Sequence, residues 1–300
     1  MSKHLSKLSS GLSRRDFLIV CAGAGVALAT AQGDKTAGNP QIRFGVCGDP
    51  DLAKKAAASG FDYFEWSVQS LLAPRQDESV FVKALERAKG AGIPCECLNL
   101  FIPPDLKVTG PTFDLAVLER YVKIVMERAE KAKITLVTFG SGGARRVPDK
   151  FDAKKAFEQL VSFGKMAAPI AGDHGVTISV EQLNKRECNI LNVVRECYDL
   201  TRAIDHPSFR MTLDGYHWGL EKDSLEDVVA AGPMVRHVHI ATWPSRFYPG
   251  GEECDLGPFF TALMKTGYSG RVSIEGQIPK PESDFPTAME LFRKLTSKSA

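Results

Sequence analysis

The sequence predicts an α/β protein built on a single (β/α)8 TIM barrel. Three observations support this fold class. From residue 41 onward, short apolar runs rich in β-branched residues alternate with longer amphipathic stretches, and this alternation occurs eight times. No linker rich in Pro, Gly or Ser interrupts it, and about 260 residues suit one barrel of this kind. One domain, residues 41–300, is therefore expected.

The eight expected strands are short and mostly apolar. In chain order they cover residues 42–47, 63–66, 95–99, 135–139, 176–181, 210–214, 237–241 and 272–275. The stretch 113–131 illustrates the helices between them, because its apolar residues Leu118, Val122, Val125 and Ala129 fall on one helical face. Two longer loops, 101–112 and 242–256, follow strands and therefore belong at the C-terminal rim, where barrel enzymes keep their sites.

An open, doubly wound sheet is the alternative architecture. It would place a glycine-rich phosphate loop directly after the first strand. The sequence there is Cys47-Gly48-Asp49-Pro50, which is not such a loop. The closed barrel is therefore preferred.

The first 31 residues have the pattern of a twin-arginine export signal. Ser13-Arg14-Arg15-Asp16-Phe17-Leu18 precedes an uncharged run rich in Ala and Gly, and Ala29-Thr30-Ala31 offers a cleavage site. A disordered basic tail is the alternative interpretation. Residues 32–40 form a linker, and the mature protein is expected to be periplasmic or secreted. No later stretch is apolar enough to span a membrane.

Composition argues against nucleic acid as a partner. Removing residues 1–31 leaves 34 basic and 35 acidic side chains. A DNA-repair nuclease on this fold would need further histidines on the early strands, and residues 42–140 contain none. The six remaining cysteines match neither a zinc ribbon nor a small disulfide framework, so they are interpreted as buried or free thiols.

The last four expected strands each end in a candidate metal ligand. These ligands are Glu181, Asp214, His239 and Glu275. A carboxylate at the end of a buried strand is costly unless a cation or a donor compensates it, so three together indicate a bound positive charge. Three carboxylates and one imidazole favour Mn²⁺, with Mg²⁺, Co²⁺ and Zn²⁺ as alternatives.

Each ligand taken alone has a simpler explanation. A single acidic residue at a strand end is more often a helix cap or a salt-bridge partner. His237 and His239 lie on one face of the same strand, so either could be a core histidine. We assign His239 as the ligand because it lies nearer the C-terminal end, and we give His237 a structural or supporting role.

Several segments resemble the xylose-isomerase-like barrels, and among them the D-tagatose/D-psicose 3-epimerases. Glu181-Gln182-Leu183-Asn184-Lys185-Arg186-Glu187 resembles their E-x-L-N-(R/K)-x-E segment, and Leu213-Asp214-Gly215-Tyr216-His217 resembles L-D-x-x-H. His237-Val238-His239, followed by Arg246 and Pro249-Gly250, resembles the ligand strand and its R-x-P-G loop. The offset of Arg246 from His239 is one residue longer than in the epimerases, and the 101–111 loop differs from theirs.

The resemblance implies roles for individual residues. Glu181 and Glu275 would bind the metal and also act as the two bases on opposite faces of the substrate carbon. Glu187, His217 and Arg246 would hydrogen-bond a small carbohydrate substrate. Family members are often homo-oligomers, and the sequence shows no interface.

Residues at the ends of the second and third strands are interpreted as walls of the substrate site. Glu65-Trp66 ends the second strand and Asn99 ends the third. A tryptophan at a strand end either stacks on a sugar face or fills the barrel mouth, and the sequence does not choose between these roles.

Three functions are compatible with these residues. The first is a sugar isomerase or epimerase that removes a proton next to a carbonyl group. The second is a lyase or hydratase that uses the same metal site on a 3-keto-glycoside or an inosose. Export favours free sugars, glycosides and their oxidised forms over sugar phosphates. The third is a periplasmic sugar-binding protein without catalysis, against which the complete ligand set argues.

Overall fold

A computed structural model describes residues 42–297. Eight parallel strands close into a barrel in sequence order, with β8 pairing to β1. The strands are β1 (Arg43–Cys47), β2 (Tyr63–Ser67), β3 (Cys95–Asn99), β4 (Leu136–Phe139), β5 (Thr177–Glu181), β6 (Phe209–Asp214), β7 (Val235–Ile240) and β8 (Arg271–Ile274). All eight predicted strands are present, within one or two residues of their expected ends, so the predicted (β/α)8 barrel is confirmed. The predicted export signal (1–31) and linker (32–40) lie outside the described residues.

Helices surround the barrel. They are α1 (Pro50–Ala58), α2 (Val68–Leu71), α3 (Glu78–Lys89), α4 (Leu115–Lys131), α5 (Gly142–Arg145), α6 (Ala153–Asp173), α7 (Val194–Ile204), α8 (Gly215–Glu221), α9 (Leu225–Ala231), α10 (Gly257–Lys265) and α11 (Pro281–Thr296). Aspartates begin several of them: the side chains of Asp49, Asp114 and Asp152 accept backbone N–H bonds at the starts of α1, α4 and α6. No helix among residues 42–297 is long and apolar enough to cross a membrane.

Alternate residues of each strand face the barrel interior or the helices. On β2, the Tyr63 hydroxyl lies 2.9 Å from Ser273 Oγ of β8, inside the barrel, while Phe64 packs into the core with the helices. Gly45 of β1 makes room for Tyr63, because a Cβ at position 45 would fall 2.3 Å from the Tyr63 ring. Side chains therefore fill the interior, and the rim is left for a site.

A closed ionic cluster lies at the N-terminal end of the barrel. Glu96 accepts hydrogen bonds from Arg43 Nη1 (2.7 Å), Arg43 Nη2 (2.6 Å) and Arg271 Nε (2.8 Å). Burial alone would raise the pKa of Glu96, but the two guanidinium groups hold it below its usual value. The charge of this carboxylate is balanced by side chains of the protein itself.

The two predicted rim loops follow β3 and β7. In the first, Phe101 is buried, and both its carbonyl and that of Leu100 accept hydrogen bonds from Gln69 Nε2 (3.1 and 3.0 Å). Tyr121 of α4 donates to the Phe101 carbonyl (2.8 Å). The start of this loop is therefore fixed to the barrel. The six cysteines among residues 42–297 are free thiols, as the sequence predicts.

Candidate metal centre

Four side chains converge at the C-terminal ends of β5 to β8. Glu181 and Asp214 end their strands, His239 lies one residue before the end of β7, and Glu275 follows β8 directly. One ligand atom from each lies within 4.8 Å of the others. The structure thus brings together all four residues that the sequence selects as ligands.

Asp214 supplies the clearest sign that the cluster lacks a partner. Its Oδ1 accepts the backbone N–H of His217 (2.9 Å) and so begins α8. Its Oδ2 is buried and has no hydrogen-bond partner among the described residues. A buried carboxylate oxygen without a donor is costly, and a cation removes that cost. The donor set therefore fits a bound divalent ion.

His239 joins the cluster to the barrel interior. Its Nδ1 lies 2.6 Å from Glu181 Oε1 and 3.4 Å from Glu275 Oε2, while its Nε2 faces Glu65. Burial would lower the pKa of His239, but the surrounding glutamates raise it well above its usual value. The cluster is therefore a strongly anionic place in which any positive charge is stabilised.

The two outer glutamates differ in their surroundings. Burial raises the pKa of Glu181, and the carboxylates of Glu275 and Asp214 add to the rise. For Glu275, burial acts in the same direction, but His239 and Arg246 outweigh it and lower the pKa to about 2. The pKa values of the two glutamates are thus shifted in opposite directions, a pattern that is common at acid–base sites.

Arg246 lies directly over the cluster. Its Nη2 donates to Glu275 Oε2 (2.7 Å) and its Nη1 to Glu187 Oε1 (3.1 Å). Its guanidinium carbon lies 4.7 Å from the centre of the Tyr216 ring. The residue belongs to the site and is not a solvated loop charge, despite its unusual offset in the sequence.

His217 points an unused nitrogen toward the same place. Its Nδ1 accepts the backbone N–H of Asn184 (3.2 Å), so in the neutral ring the proton sits on Nε2. That Nε2 is buried and unpartnered among the described residues, 3.9 Å from Asp214 Oδ2 and 3.9 Å from Glu187 Oε2. It is an available donor for a ligand oxygen.

A cavity of about 390 Å³ opens over the cluster, within the range of small-molecule sites. Glu181, Glu275, Glu187 and Arg246 line it, together with Asn99. Asn99 Nδ2 lies 3.3 Å from Glu275 Oε1, as a donor. A small ligand in this cavity would touch both outer glutamates at once.

The structure does not bring Trp66 to this site. Its ring is half-buried against the outer hydrophobic core, and the guanidinium carbon of Arg87 in α3 lies 5.6 Å from the ring centre. Adjacent strand residues point to opposite faces, so Glu65 and Trp66 cannot both face the barrel. The predicted substrate contact of Trp66 is therefore withdrawn. Glu65 faces inward but lies beneath the cluster rather than in the cavity wall.

Three contacts at the site were not predicted from the sequence. Tyr216 stacks on Arg246, Asn184 Nδ2 donates to Glu187 Oε1 (3.0 Å), and Glu65 contacts His239. Strand parity could have revealed Glu65, because it shares the inward face of β2 with Tyr63. Tyr216 and Asn184 lie inside the motifs, but nothing in their residue types marks these contacts.

Comparison with known proteins agrees with this geometry. Residues 53–295 match the family described as "Xylose isomerase-like TIM barrel". The chain belongs to this family. The match covers most of the barrel, including all four residues of the cluster.

Several relatives of named activity are sugar epimerases. Ketose 3-epimerase from Arthrobacter globiformis is 33% identical over 106 residues, which is 35% of this chain and 36% of the relative. L-ribulose 3-epimerase from Methylomonas sp. is 26% identical over 231 residues, which is 73% of this chain and 75% of the relative. The first alignment thus spans only about a third of its relative. These named activities are isomerase-type, the enzyme class that the sequence predicts.

Solved structures of similar fold include two epimerases. A D-psicose 3-epimerase determined in the presence of D-fructose has a TM-score of 0.75 at 17% identity, covering 86% of this chain and 100% of that chain. The 3-keto-D-glucoside 4-epimerase of E. coli has a TM-score of 0.68 at 17% identity, covering 85% and 100%. At these identities the likeness establishes the shared fold alone.

Proposed function

We propose that this protein is a divalent-metal-dependent sugar isomerase or epimerase that removes a proton from the carbon next to a carbonyl group. One observation carries the proposal: two glutamates of a single cation-ready cluster, Glu181 and Glu275, line the same small cavity. A two-base reaction needs this arrangement, because one carboxylate must take a proton while another delivers one.

The ion supplies the acidity that the reaction needs. Held by Glu181, Asp214, His239 and Glu275, a divalent cation would polarise the carbonyl and stabilise the negative charge that develops on its oxygen. The three carboxylates and one imidazole suit Mn²⁺ best, with Mg²⁺, Co²⁺ and Zn²⁺ as alternatives.

The surrounding residues would hold the substrate and the bases. Arg246 Nη2 donates to the Glu275 carboxylate at 2.7 Å and so fixes its position, and His239 together with Arg246 lowers the pKa of that carboxylate. The Nε2–H of His217 and the second oxygen of Glu187 face the same space and would hydrogen-bond substrate hydroxyl groups. Asn99 restrains Glu275 from the opposite strand.

The chemistry and the relatives support free ketoses as the substrate class. The relatives' names specify ketose, L-ribulose and D-psicose 3-epimerases. All three reactions invert a carbon next to a carbonyl, which is the step that the two glutamates suit.

The direct test follows hydrogen exchange in D₂O. The full chain is loaded with Mn²⁺ and incubated with a panel of free ketoses, and proton NMR detects deuterium entering beside the carbonyl. The metal is removed before spectra are recorded, since Mn²⁺ broadens them. Exchange in the wild type that disappears in Glu275→Gln supports the proposal. A metal-loaded protein that exchanges no ketose proton contradicts the ketose assignment.

A keto-glycoside or inosose is the second candidate substrate, used by an epimerase or a lyase. The fold shared with the 3-keto-D-glucoside 4-epimerase favours including it. The same NMR experiment separates the reactions, because an epimerase yields a stereoisomer and a lyase an unsaturated product. A sugar-binding protein without catalysis would bind a sugar and exchange nothing.

We also propose export through the twin-arginine pathway, directed by residues 1–31. Fractionation of cells that express the full chain, compared with an Arg14→Lys/Arg15→Lys variant, tests this route. Wild-type protein in the periplasm and variant protein in the cytoplasm is the expected result. Equal distribution of the two would contradict it.

A further inference from the structure

A fourth carboxylate lies below the three of the cluster and does not line the cavity. Glu65, on the inward face of β2, is fully buried. It is one of the costliest groups to bury in the whole barrel, because an isolated charge in the interior loses its hydration. Its position is therefore explained only by what it contacts.

Several hydrogen-bond donors surround the Glu65 carboxylate. His237 Nε2 lies 2.7 Å from Oε2, and His239 Nε2 lies 3.1 Å from each oxygen. Ser273 Oγ donates at 3.0 Å and the Cys97 thiol at 3.4 Å. A carboxylate is the side chain that suits this place, because an ionised carboxylate accepts only and offers about four lone-pair sites. Both imidazole rings must then carry a proton on Nε2.

The consequence for His239 is a fixed orientation. With its proton on Nε2 directed at Glu65, the ring presents Nδ1 to the opposite side, where Glu181 Oε1 lies 2.6 Å away. A bare Nδ1 beside a carboxylate oxygen is repulsive unless a cation or a proton lies with them. The two ring nitrogens thus have different roles: Nε2 is hydrogen-bonded to Glu65 in the core, and Nδ1 is available to bind an ion.

We propose that Glu65 is a positioning residue of the metal centre, which holds His239 with its proton on Nε2 so that Nδ1 binds the divalent ion. The inference rests on the proposed function, since it assumes that the cluster binds a metal. Carboxylate groups behind metal-binding histidines fix the ring and raise its basicity, and their loss costs roughly 10- to 100-fold in metal affinity.

His237 holds Glu65 in place. It lies two residues before His239 on the same face of β7, and the two ring centres are 4.8 Å apart at an angle of 85°. Its own Nδ1 is buried and unpartnered among the described residues, so its polar contacts there are made by Nε2, with Glu65 Oε2 at 2.7 Å and with Ser273 Oγ at 3.4 Å. Ser273 reaches the same carboxylate oxygen and is in turn contacted by Tyr63. This supporting set leaves Glu65 little freedom to turn.

Glu65→Gln is the decisive variant because it keeps the shape and changes the chemistry. Glutamine replaces one carboxylate oxygen by a donor NH₂ group, and in either orientation of the amide that NH₂ faces His239 Nε2, which lies 3.1 Å from both oxygens of Glu65. Either two N–H donors then oppose each other, or His239 moves its proton to Nδ1 and blocks the metal-binding nitrogen. Ser273→Ala is the matched control. It removes one donor to the same carboxylate and leaves both imidazole contacts intact.

The experiment uses the full chain and Mn²⁺ or Zn²⁺ as the probe. Calorimetric titration of metal-free protein with Mn²⁺ is expected to show about 10- to 100-fold weaker binding in Glu65→Gln and a change within about threefold in Ser273→Ala. Circular dichroism establishes that both variants are folded. A folded Glu65→Gln protein that binds Mn²⁺ as tightly as the wild type would overturn the positioning role.

A second measurement decides the matter without any variant at position 65. ¹⁵N NMR of histidine-labelled, Zn²⁺-loaded wild-type protein, assigned with His239→Gln, is expected to show His239 bound to zinc through Nδ1 and protonated on Nε2. Zinc bound through Nε2 would overturn the inference even if Glu65→Gln fails to fold. Wild-type protein that binds neither ion contradicts the proposed function itself, which is a different outcome from the loss of the Glu65 role alone.

Discussion

The two ends of the barrel differ in how the charge of their carboxylates is balanced. At the N-terminal end, Glu96 is satisfied by three hydrogen bonds from two arginines. At the C-terminal rim, three carboxylates surround one imidazole, and Asp214 Oδ2 has no partner among the described residues. Both groups lie at strand ends of the same parallel sheet. They differ in whether the protein itself supplies the balancing charge.

That difference indicates that the cluster at the N-terminal end serves stability and that the cluster at the rim serves ligand binding. In the ionic cluster at the N-terminal end, the arginines balance the charge of Glu96, as expected of a group that stabilises the fold. Under the proposed function, a divalent ion from outside the chain completes the rim cluster. Arg246 does not change this, since it reaches Glu275 and Glu187 but not Asp214. Changes at the rim should therefore alter ligand binding and turnover, and changes at the lower end should alter stability.

The largest effect is expected for Glu181→Gln. The variant removes one of the two proposed bases while keeping an oxygen near the ion. Deuterium exchange into the substrate should fall by roughly 10²- to 10⁴-fold. Glu96→Gln, at the opposite end, serves as the control and should retain exchange within about threefold. Equal losses in both variants would show that the two ends are not functionally distinct.

Asp214→Asn should weaken metal binding with little harm to the fold. Asparagine still begins α8 by accepting the His217 N–H, so the cap is kept while the orphan oxygen is lost. Removal of a direct ligand should cost at least as much as loss of a supporting contact, and we expect Mn²⁺ to bind at least about 100-fold more weakly. Calorimetric titration measures this. An unchanged dissociation constant would remove Asp214 from the ligand set.

Glu96→Gln should lower the stability of the metal-free protein and leave Mn²⁺ affinity unchanged. Charge-assisted hydrogen bonds of this kind contribute about 1–3 kcal/mol in total here, discounted because Arg43 is partly exposed. Urea unfolding at pH 7 measures the difference. A variant with wild-type stability but weaker metal binding would reverse the assignment of the two ends.

The pH dependence of that difference has a definite sign. The folded pKa of Glu96 is lowered from 4.5, because hydrogen bonds from Arg43 and Arg271 outweigh burial. The carboxylate therefore stabilises the fold above its unfolded pKa, and this contribution is lost as pH falls through the folded pKa. The stability gap between wild type and Glu96→Gln should be full above pH ~5 and should shrink below pH ~4. A gap that widens on acidification would contradict the cluster described.

The smallest effect is expected for Trp66→Phe. Because the ring packs on the outer face of β2 beside Arg87, its replacement should change deuterium exchange and Mn²⁺ affinity by less than about twofold. Asn99→Ala, one strand away and inside the cavity, should reduce exchange by more, since it removes a donor near Glu275. A larger effect of Trp66→Phe than of Asn99→Ala would contradict the assignment of Trp66 to the outer face of β2.

The sequence predicted the fold well because hydrophobic periodicity is a local signal and because the length of the chain suits one barrel of this kind. It also selected the four cluster residues, since closed parallel strands bring their C-terminal ends together whatever the loops do. It placed Trp66 in the substrate site wrongly, because the residues at the strand ends were assigned without regard to which face of the strand each one occupies. Strand parity gives the inward direction of Glu65, but the contact of Glu65 with His237, 172 positions away, and that of Tyr216 with Arg246, 30 positions away, follow from no local pattern.

The central claim is that the rim cluster is built to hold one divalent ion. Calorimetric titration of the metal-free full chain with Mn²⁺, repeated with His239→Gln, tests it most directly. One ion is expected to bind per chain in the wild type, and the variant is expected to bind none or to bind it far more weakly. A wild-type protein that binds no divalent ion, or a variant that binds it with the wild-type dissociation constant, would contradict the account.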